Sequence, residues 1–271
     1  MKTLRAFSLA LALTPALAVP QLLHAQSPRI SEIVEARMKP GWQTDAGTYI
    51  AALHLSLAQD WITYWRHPGE SGIAPRFDWS ESDNLSQARV HWPEPRLFMS
   101  SGFHSIGYAG EVVLPIEVTP QIPGAPVELV GIVKLGVCDD ICIPADLPLR
   151  LTISGKGARV PAIEQALDSR PRAARAAGLR DVACTVEPHS RGLRLSAALE
   201  LPRQGDDEFV LVEMTGPARP SRALSSSRNG SAITGESVFQ MDGGAIDRSS
   251  VRVSVVSEDG MLVHQGCSLG N

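Results

Sequence analysis

The chain has 271 residues, 25 of them basic and 29 acidic, for a formal net charge of −4. A mildly acidic balance argues against nucleic acid or an anionic membrane surface as the partner. The length suffices for one large domain or two small ones.

The first 25 residues, MKTLRAFSLALALTPALAVPQLLHA, have the layout of a secretory signal peptide. Lys2 and Arg5 are followed by an apolar run over Ala6–Leu13 and then by small residues ending at Ala18 and Ala25. The run is too short, and too broken by Pro15 and Pro20, to cross a bilayer. Cleavage is expected after Ala25, with Ala18 as the second choice, and no stable membrane insertion is expected of the mature chain. Without residues 1–25 the balance is 23 basic to 29 acidic, and all four cysteines remain. That suits an oxidising compartment.

Beyond the leader, several segments alternate as half-buried strands do. TYIAALHLSLA (Thr48–Ala58) puts Tyr49, Ala51, Leu53, Leu55 and Leu57 on one face. GEVVLPIEVTP, PVELVGIVKLGV and LPLRLTI read as further strands, with Pro and Gly clusters between them. Strands at this density without helices predict an antiparallel β-sandwich over residues 26–155. Residues 156–180, rich in Ala and Arg, read as a connector with one short helix at Pro161–Ser169. Strand patterns resume in DVACTVEP, GLRLSAALELP, EFVLVEMTG, SAITGESVFQM and SVRVSVVSEDGMLVHQGC. A second, smaller sandwich is therefore expected over 181–271, with PARPSRALSSSRNGS as a mobile loop in it. The predicted fold is all-β: two tandem sandwich domains joined by a short, partly helical connector.

Two cysteine pairs invite different readings. Cys184 and Cys267 lie near the two ends of the second sandwich, and a bond between them closes a loop of about 84 residues. The chain-entropy relation gives such a link about 4.6 kcal/mol, against about 2 kcal/mol for a Cys138–Cys142 link. Cys184–Cys267 is accordingly read as a structural disulfide, with a second redox pair as the rival reading. Cys138 and Cys142 stand in GVCDDICIP. Their spacing matches neither C-x-x-C redox sites nor half of a four-cysteine zinc site. An extended strand would hold them about 13 Å apart, whereas a disulfide needs Cα atoms within about 7 Å. A bond therefore requires the chain to fold back at Asp139–Asp140. Such a ring at a loop tip is open to exchange by an incoming thiolate, and the two aspartates disfavour a free thiolate until a partner covers it. Spacing alone leaves redox exchange, a small structural ring and a metal site all open.

The stretches DWITYWRHPGESGIAPRFDWSESDNLSQARVHWPEP, GYAGEVVLPIEVTP and GVCDDICIPADLPLRL occur in that order. Together they resemble the periplasmic N-terminal domain of the DsbD family, most closely its ScsB-like branch. The likeness is dense over residues 30–155 and looser beyond. It implies an immunoglobulin-like fold for the sandwiches, a periplasmic location, and thiol–disulfide interchange as a protein-disulfide reductase component. It also implies that Cys142 is the sulfur attacked by and bonded to partners, and Cys138 the resolving one. The implied partners are thioredoxin-like periplasmic proteins and a DsbD/CcdA-like membrane reductase. The chain ends at Asn271 with neither a membrane core nor a thioredoxin-like domain, so a separate reductase is expected. Family members shield their cysteines with a loop carrying an aromatic residue; RLFMSSGFHSIGY matches that region, with Phe103 or Phe98 as the shield. Tyr64, Trp65, Phe77 and Trp79 are read as core aromatics. No cofactor or metal is expected. The alternatives are a copper-handling module using the same thiols, with Met99 and His104 nearby, and a non-catalytic scaffold with two structural disulfides.

Overall fold

The computed structural model describes residues 29–100, 102–215, 223–240 and 246–269. The expected signal peptide lies outside the described residues. One helical turn, α1 (Ile30–Ile33), leads into β1 (Val34–Gln43), β2 (Tyr49–Leu57), β3 (Ile62–Gly69), β4 (Arg76–Asp78) and β5 (Leu85–Val90). β6 (Arg96–Ser100), β7 (Phe103–Ala109), β8 (Glu111–Pro120), β9 (Val127–Cys138) and β10 (Cys142–Ile153) follow. They form two facing sheets, β1-β2-β8-β5 and β10-β9-β3-β7-β6, with β4 added to β9.

The alternation read in the sequence places the core between these sheets. Leu53, Leu55, Leu114, Ile116, Leu129 and Leu135 meet there around the fully buried Trp65. Each such side chain contributes roughly 1.5–3 kcal/mol through burial. β2 is covered on both faces, because Ile50 and Ala52 pack against Ile163 of α2 (Pro161–Asp168). The helix expected in the connector is therefore docked on the first sandwich.

After α2 come β11 (Arg172–Ala173), one 3-10 turn at Ala174–Ala177, β12 (Val182–His189), β13 (Gly192–Glu200) and β14 (Phe209–Met214). β15 (Ala223–Asn229), β16 (Ala232–Phe239), β17 (Val251–Ser257), β18 (Gly260–Gln265) and β19 (Ser268–Leu269) complete the chain. The sheets are β11-β18-β17-β14 and β15-β16-β13-β12-β19. The architecture is all-β and immunoglobulin-like, as the sequence predicts.

One expectation is overturned here. Part of the segment read as a mobile loop, Ala223–Asn229, is strand β15, paired with β16. Its serines and arginine are polar because they serve a polar edge. Ser226 Oγ accepts the Val210 N–H at 3.1 Å, and Arg228 forms a two-pronged, nearly buried ion pair with Glu208. Residues 217–222 of that segment lie outside the described residues.

The two sandwiches touch through specific contacts. Phe209 and Met261 join the core cluster of the first sandwich, and the His104 ring stacks on Phe209 at 4.6 Å. Arg66 donates to both carboxylate oxygens of Glu213, at 3.1 and 2.8 Å. Its guanidinium also lies over the Trp65 ring, 3.6 Å from the centroid.

Candidate functional site

β9 and β10 form a hairpin paired in register from Val127↔Ile153 to Cys138↔Cys142. The turn is Asp139-Asp140-Ile141, closed by a hydrogen bond from the Asp139 N–H to the Ile141 carbonyl at 3.1 Å. The two cysteines thus face each other across the last pair of the ladder. Their Cα atoms are 4.1 Å apart and their sulfurs are bonded. The fold-back required at Asp139–Asp140 is what the chain adopts.

Pleating decides which face carries the sulfurs. Val133, Leu135 and Val137 point into the core, so Cys138 projects from the opposite, outer face. Cys138 pairs with Ile62 on β3, and Ile62 with Ala109 on β7. Tyr64, two residues on from Ile62, therefore shares that outer face. Its hydroxyl lies 3.6 Å from Cys142 Sγ and also bonds to Ser105. Burial pushes the Tyr64 phenol above its usual range, with the Ser105 bond opposing. Tyr64 therefore stays neutral at ordinary pH and keeps a proton to donate.

The segment from Gly69 to Pro75 lies over this part of the sheet. Glu70 clamps it: its carboxylate accepts the His104 N–H at 2.7 Å and lies 2.7 Å from His104 Nδ1. Ser71 Oγ sits 2.9 Å from Ser105 Oγ. Gly72, at φ +108°, lies so close to the Tyr64 ring that any side chain there would collide with it, and Ile73 packs on Gly136. The disulfide itself is asymmetric. Cys138 is only 3% exposed, whereas Cys142 is exposed. An approaching thiolate meets Cys142 first.

Gly72→Ala should therefore lift the segment from Tyr64, because the collision adds to the cost of a left-handed backbone at a non-glycine residue. The expected result is a several-fold faster reduction of Cys138–Cys142 by dithiothreitol, on the order of 3- to 10-fold if the cover costs about 1 kcal/mol to displace. An unchanged rate would mean that this segment does not govern access.

Phe98 and Phe103, the expected shields, lie on strands, since the region read as a loop is the β6–β7 hairpin. Phe98 pairs with Ser105, and both phenylalanines share the outer face with the sulfurs. Tyr64, which the sequence reading assigns to the core with Trp65, is an aromatic in contact with a sulfur. Adjacent strand residues point to opposite faces, so Tyr64 and Trp65 cannot both enter one core; that parity was the available signal. Trp65 is the core residue, and Phe77 and Trp79 pack partly buried against the same core cluster. Met99 and His104 pair across the hairpin on the face away from the sulfurs. Among the described residues no group of three His, Cys, Asp or Glu is placed to hold a metal.

The other bond, Cys184–Cys267, joins β12 to the segment just before β19, with Cα atoms 5.7 Å apart. Cys184 is 1% exposed and belongs to the second core. Cys267 is of intermediate exposure, so the two bonds differ in their second cysteine: Cys142 is exposed and Cys267 partly buried.

Residues 33–152 match the family model for the thiol:disulfide interchange protein DsbD, N-terminal. The solved N-terminal periplasmic domain of ScsB from Proteus mirabilis is similar over 88% of this chain and 92% of its own, at 22% identity and a TM-score of 0.60. At that identity the likeness speaks for the fold. The reduced N-terminal domain of DsbD from Neisseria meningitidis aligns with 48% of this chain and 91% of its own, at 18% identity and a TM-score of 0.29, too low to support any comparison. No curated protein matches the chain.

Proposed function

We propose, from the match of residues 33–152 to the DsbD N-terminal family model, that the chain is a periplasmic thiol–disulfide interchange protein. It relays reducing equivalents from a membrane reductase to thioredoxin-like proteins through Cys138 and Cys142. The observation that carries this reading is the asymmetry of the pair, Cys142 exposed and Cys138 buried on the same sheet face.

The chemistry follows from that asymmetry. In the reduced protein the Cys142 thiolate attacks a partner disulfide, forming an intermolecular S–S bond and expelling one partner thiolate. Cys138, opposite it in the hairpin, gives up its proton and attacks Cys142 Sγ. That closes the internal disulfide and releases the second partner sulfur as a thiolate, which takes up a proton. The partner gains two electrons and two protons. A dithiol on the reductase reverses the sequence and recharges the pair. The Tyr64 hydroxyl is positioned to hydrogen-bond Cys142 whenever that sulfur carries negative charge. Ile141 and Ile73, at 59% and 38% exposure, form an apolar rim for a docked partner. A cover of that kind would exclude water from the carboxylates of the turn. For Cys184–Cys267 a structural role is proposed.

The reading is tested by equilibrating the oxidised protein in a graded glutathione or dithiothreitol series, then mapping alkylated cysteines by mass spectrometry. Cys138 and Cys142 should become labelled together at moderate potential while Cys184 and Cys267 remain protected. Joint resistance of both pairs until the protein unfolds would identify a scaffold.

A further inference from the structure

An acidic chain has gathered five arginines around one cleft. The cleft has a volume of about 740 Å³ and lies where the two sandwiches and the connector meet. Arg66 on β3 and Arg89 on β5 line it from the first sandwich, Arg170 and Arg175 from the connector, and Arg252 on β17 from the second. His91 and His264 add two imidazoles, and no aspartate or glutamate lines it. The size falls within the roughly 300–1,000 Å³ typical of small-molecule sites.

Most of this charge is not neutralised from within. Arg66 is paired with Glu213, and Arg89 with Glu117 at 2.7 Å. Arg170, Arg175 and Arg252 form no ion pair with a described carboxylate. Arg170 donates to the Leu167 carbonyl at 2.7 Å, and Arg252 to Gln265 Oε1 at 3.3 Å. These bonds satisfy single N–H groups and leave the net charge standing. The titratable groups respond to the excess. Burial, and then the charge of Arg66, lowers the Arg252 pKa, with Glu213 opposing. Burial, and then Arg175, lowers that of His264. Burial also lowers His91, where the hydrogen bond and charge of Glu117 oppose while Arg170 and Arg89 add to the lowering.

We propose that this cleft is a binding site for a small organic polyanion, one carrying two or more carboxylate or phosphate groups on a partly apolar body. Guanidinium forks match both groups in two-pronged fashion. The apolar requirement comes from Val90, Trp92, Pro171 and Val263, which form the rest of the wall. Because the arginines come from both sandwiches and the connector, a bound polyanion bridges the two halves of the molecule. The inference does not depend on the redox reading, and its test uses no thiol chemistry.

Isothermal titration calorimetry of the oxidised full chain, with citrate and separately with pyrophosphate at low ionic strength, decides the matter. Saturable one-to-one binding of at least one probe is expected, weakening as salt is added. The probe that binds more tightly tells whether carboxylate or phosphate is preferred. Arg175 is exposed and has no side-chain partner among the described residues, so Arg175→Gln should preserve the fold. It should weaken binding about tenfold, and adding Arg252→Gln about tenfold again, as the loss of charge-assisted hydrogen bonds implies. Lys134→Gln, on the hairpin that carries the sulfurs, should leave binding unchanged. The proposal is overturned if neither probe binds saturably up to about 10 mM. It is equally overturned if Arg175→Gln unfolds normally yet binds at full strength, or if Lys134→Gln weakens binding as much.

Discussion

Cys138→Ala is expected to convert the protein into a trap. With the covered sulfur gone, Cys142 still meets a partner disulfide and forms the intermolecular bond, but no neighbouring thiol remains to release it. Both halves of this expectation rest on position. Cys142 is exposed at the start of β10 while Cys138 is 3% exposed at the end of β9. The complex should persist on non-reducing gels of a periplasmic extract and yield its partner by mass spectrometry. Turnover of a thioredoxin-like disulfide should fall by at least about 1,000-fold, the scale seen when a unit of interdependent catalytic groups loses one member. Cys142→Ala should give the same loss of turnover with no accumulated complex. If the adduct forms with Cys142→Ala and not with Cys138→Ala, the roles of the two sulfurs are reversed.

The second large effect concerns stability. Removing the Cys184–Cys267 bond by a double alanine replacement releases a loop that joins one edge of the second sandwich to its last strand. The chain-entropy relation puts the loss at about 4.6 kcal/mol, against about 2 kcal/mol for the same treatment of Cys138 and Cys142. Cys138 and Cys184 are about equally buried, but Cys184 belongs to the second core cluster, so its truncation also removes core contacts. Urea unfolding followed by far-ultraviolet circular dichroism, which reads the strands of both sandwiches, should show the larger shift for the Cys184/Cys267 variant. Since a stable domain holds only about 5–15 kcal/mol in total, that variant should sit close to unfolding at physiological temperature. Equal losses for the two variants would remove the distinction between a staple and an exchangeable bond.

Much of the architecture was legible because half-buried strands must alternate. β2, β8, β9 and the strands of the second sandwich that carry runs such as LRLSAALE were found on that ground. The hairpin at Cys138–Cys142 was legible for a different reason, since bond geometry excludes an extended chain between sulfurs four positions apart. What escaped lay where polarity and structure part company. The Ser-rich β15 reads as a loop, although an edge strand is permitted polar side chains on its open side. The β6–β7 hairpin reads as a loop only through the family resemblance, which supplies a shielding loop at RLFMSSGFHSIGY. α2 was read as part of a connector, yet the apolar residues Ile50 and Ala52 on the second face of β2 already called for a cover. Tyr64 was hidden by a habit of inference that sends every aromatic in a sandwich to the core. Strand parity contradicts it at the Tyr64–Trp65 step.

The hairpin has one more consequence for the proposed exchange cycle. Its cross-strand pairs continue all the way from Cys138↔Cys142 to Val127↔Ile153, so cleaving the sulfur bridge removes a covalent tie without dismantling the scaffold beneath it. Two liberated thiols remain fixed as nearest neighbours by backbone hydrogen bonds alone. The effective molarity of each toward the other stays high, and intermediates with a foreign sulfur are correspondingly short-lived. Such a device needs no refolding between rounds.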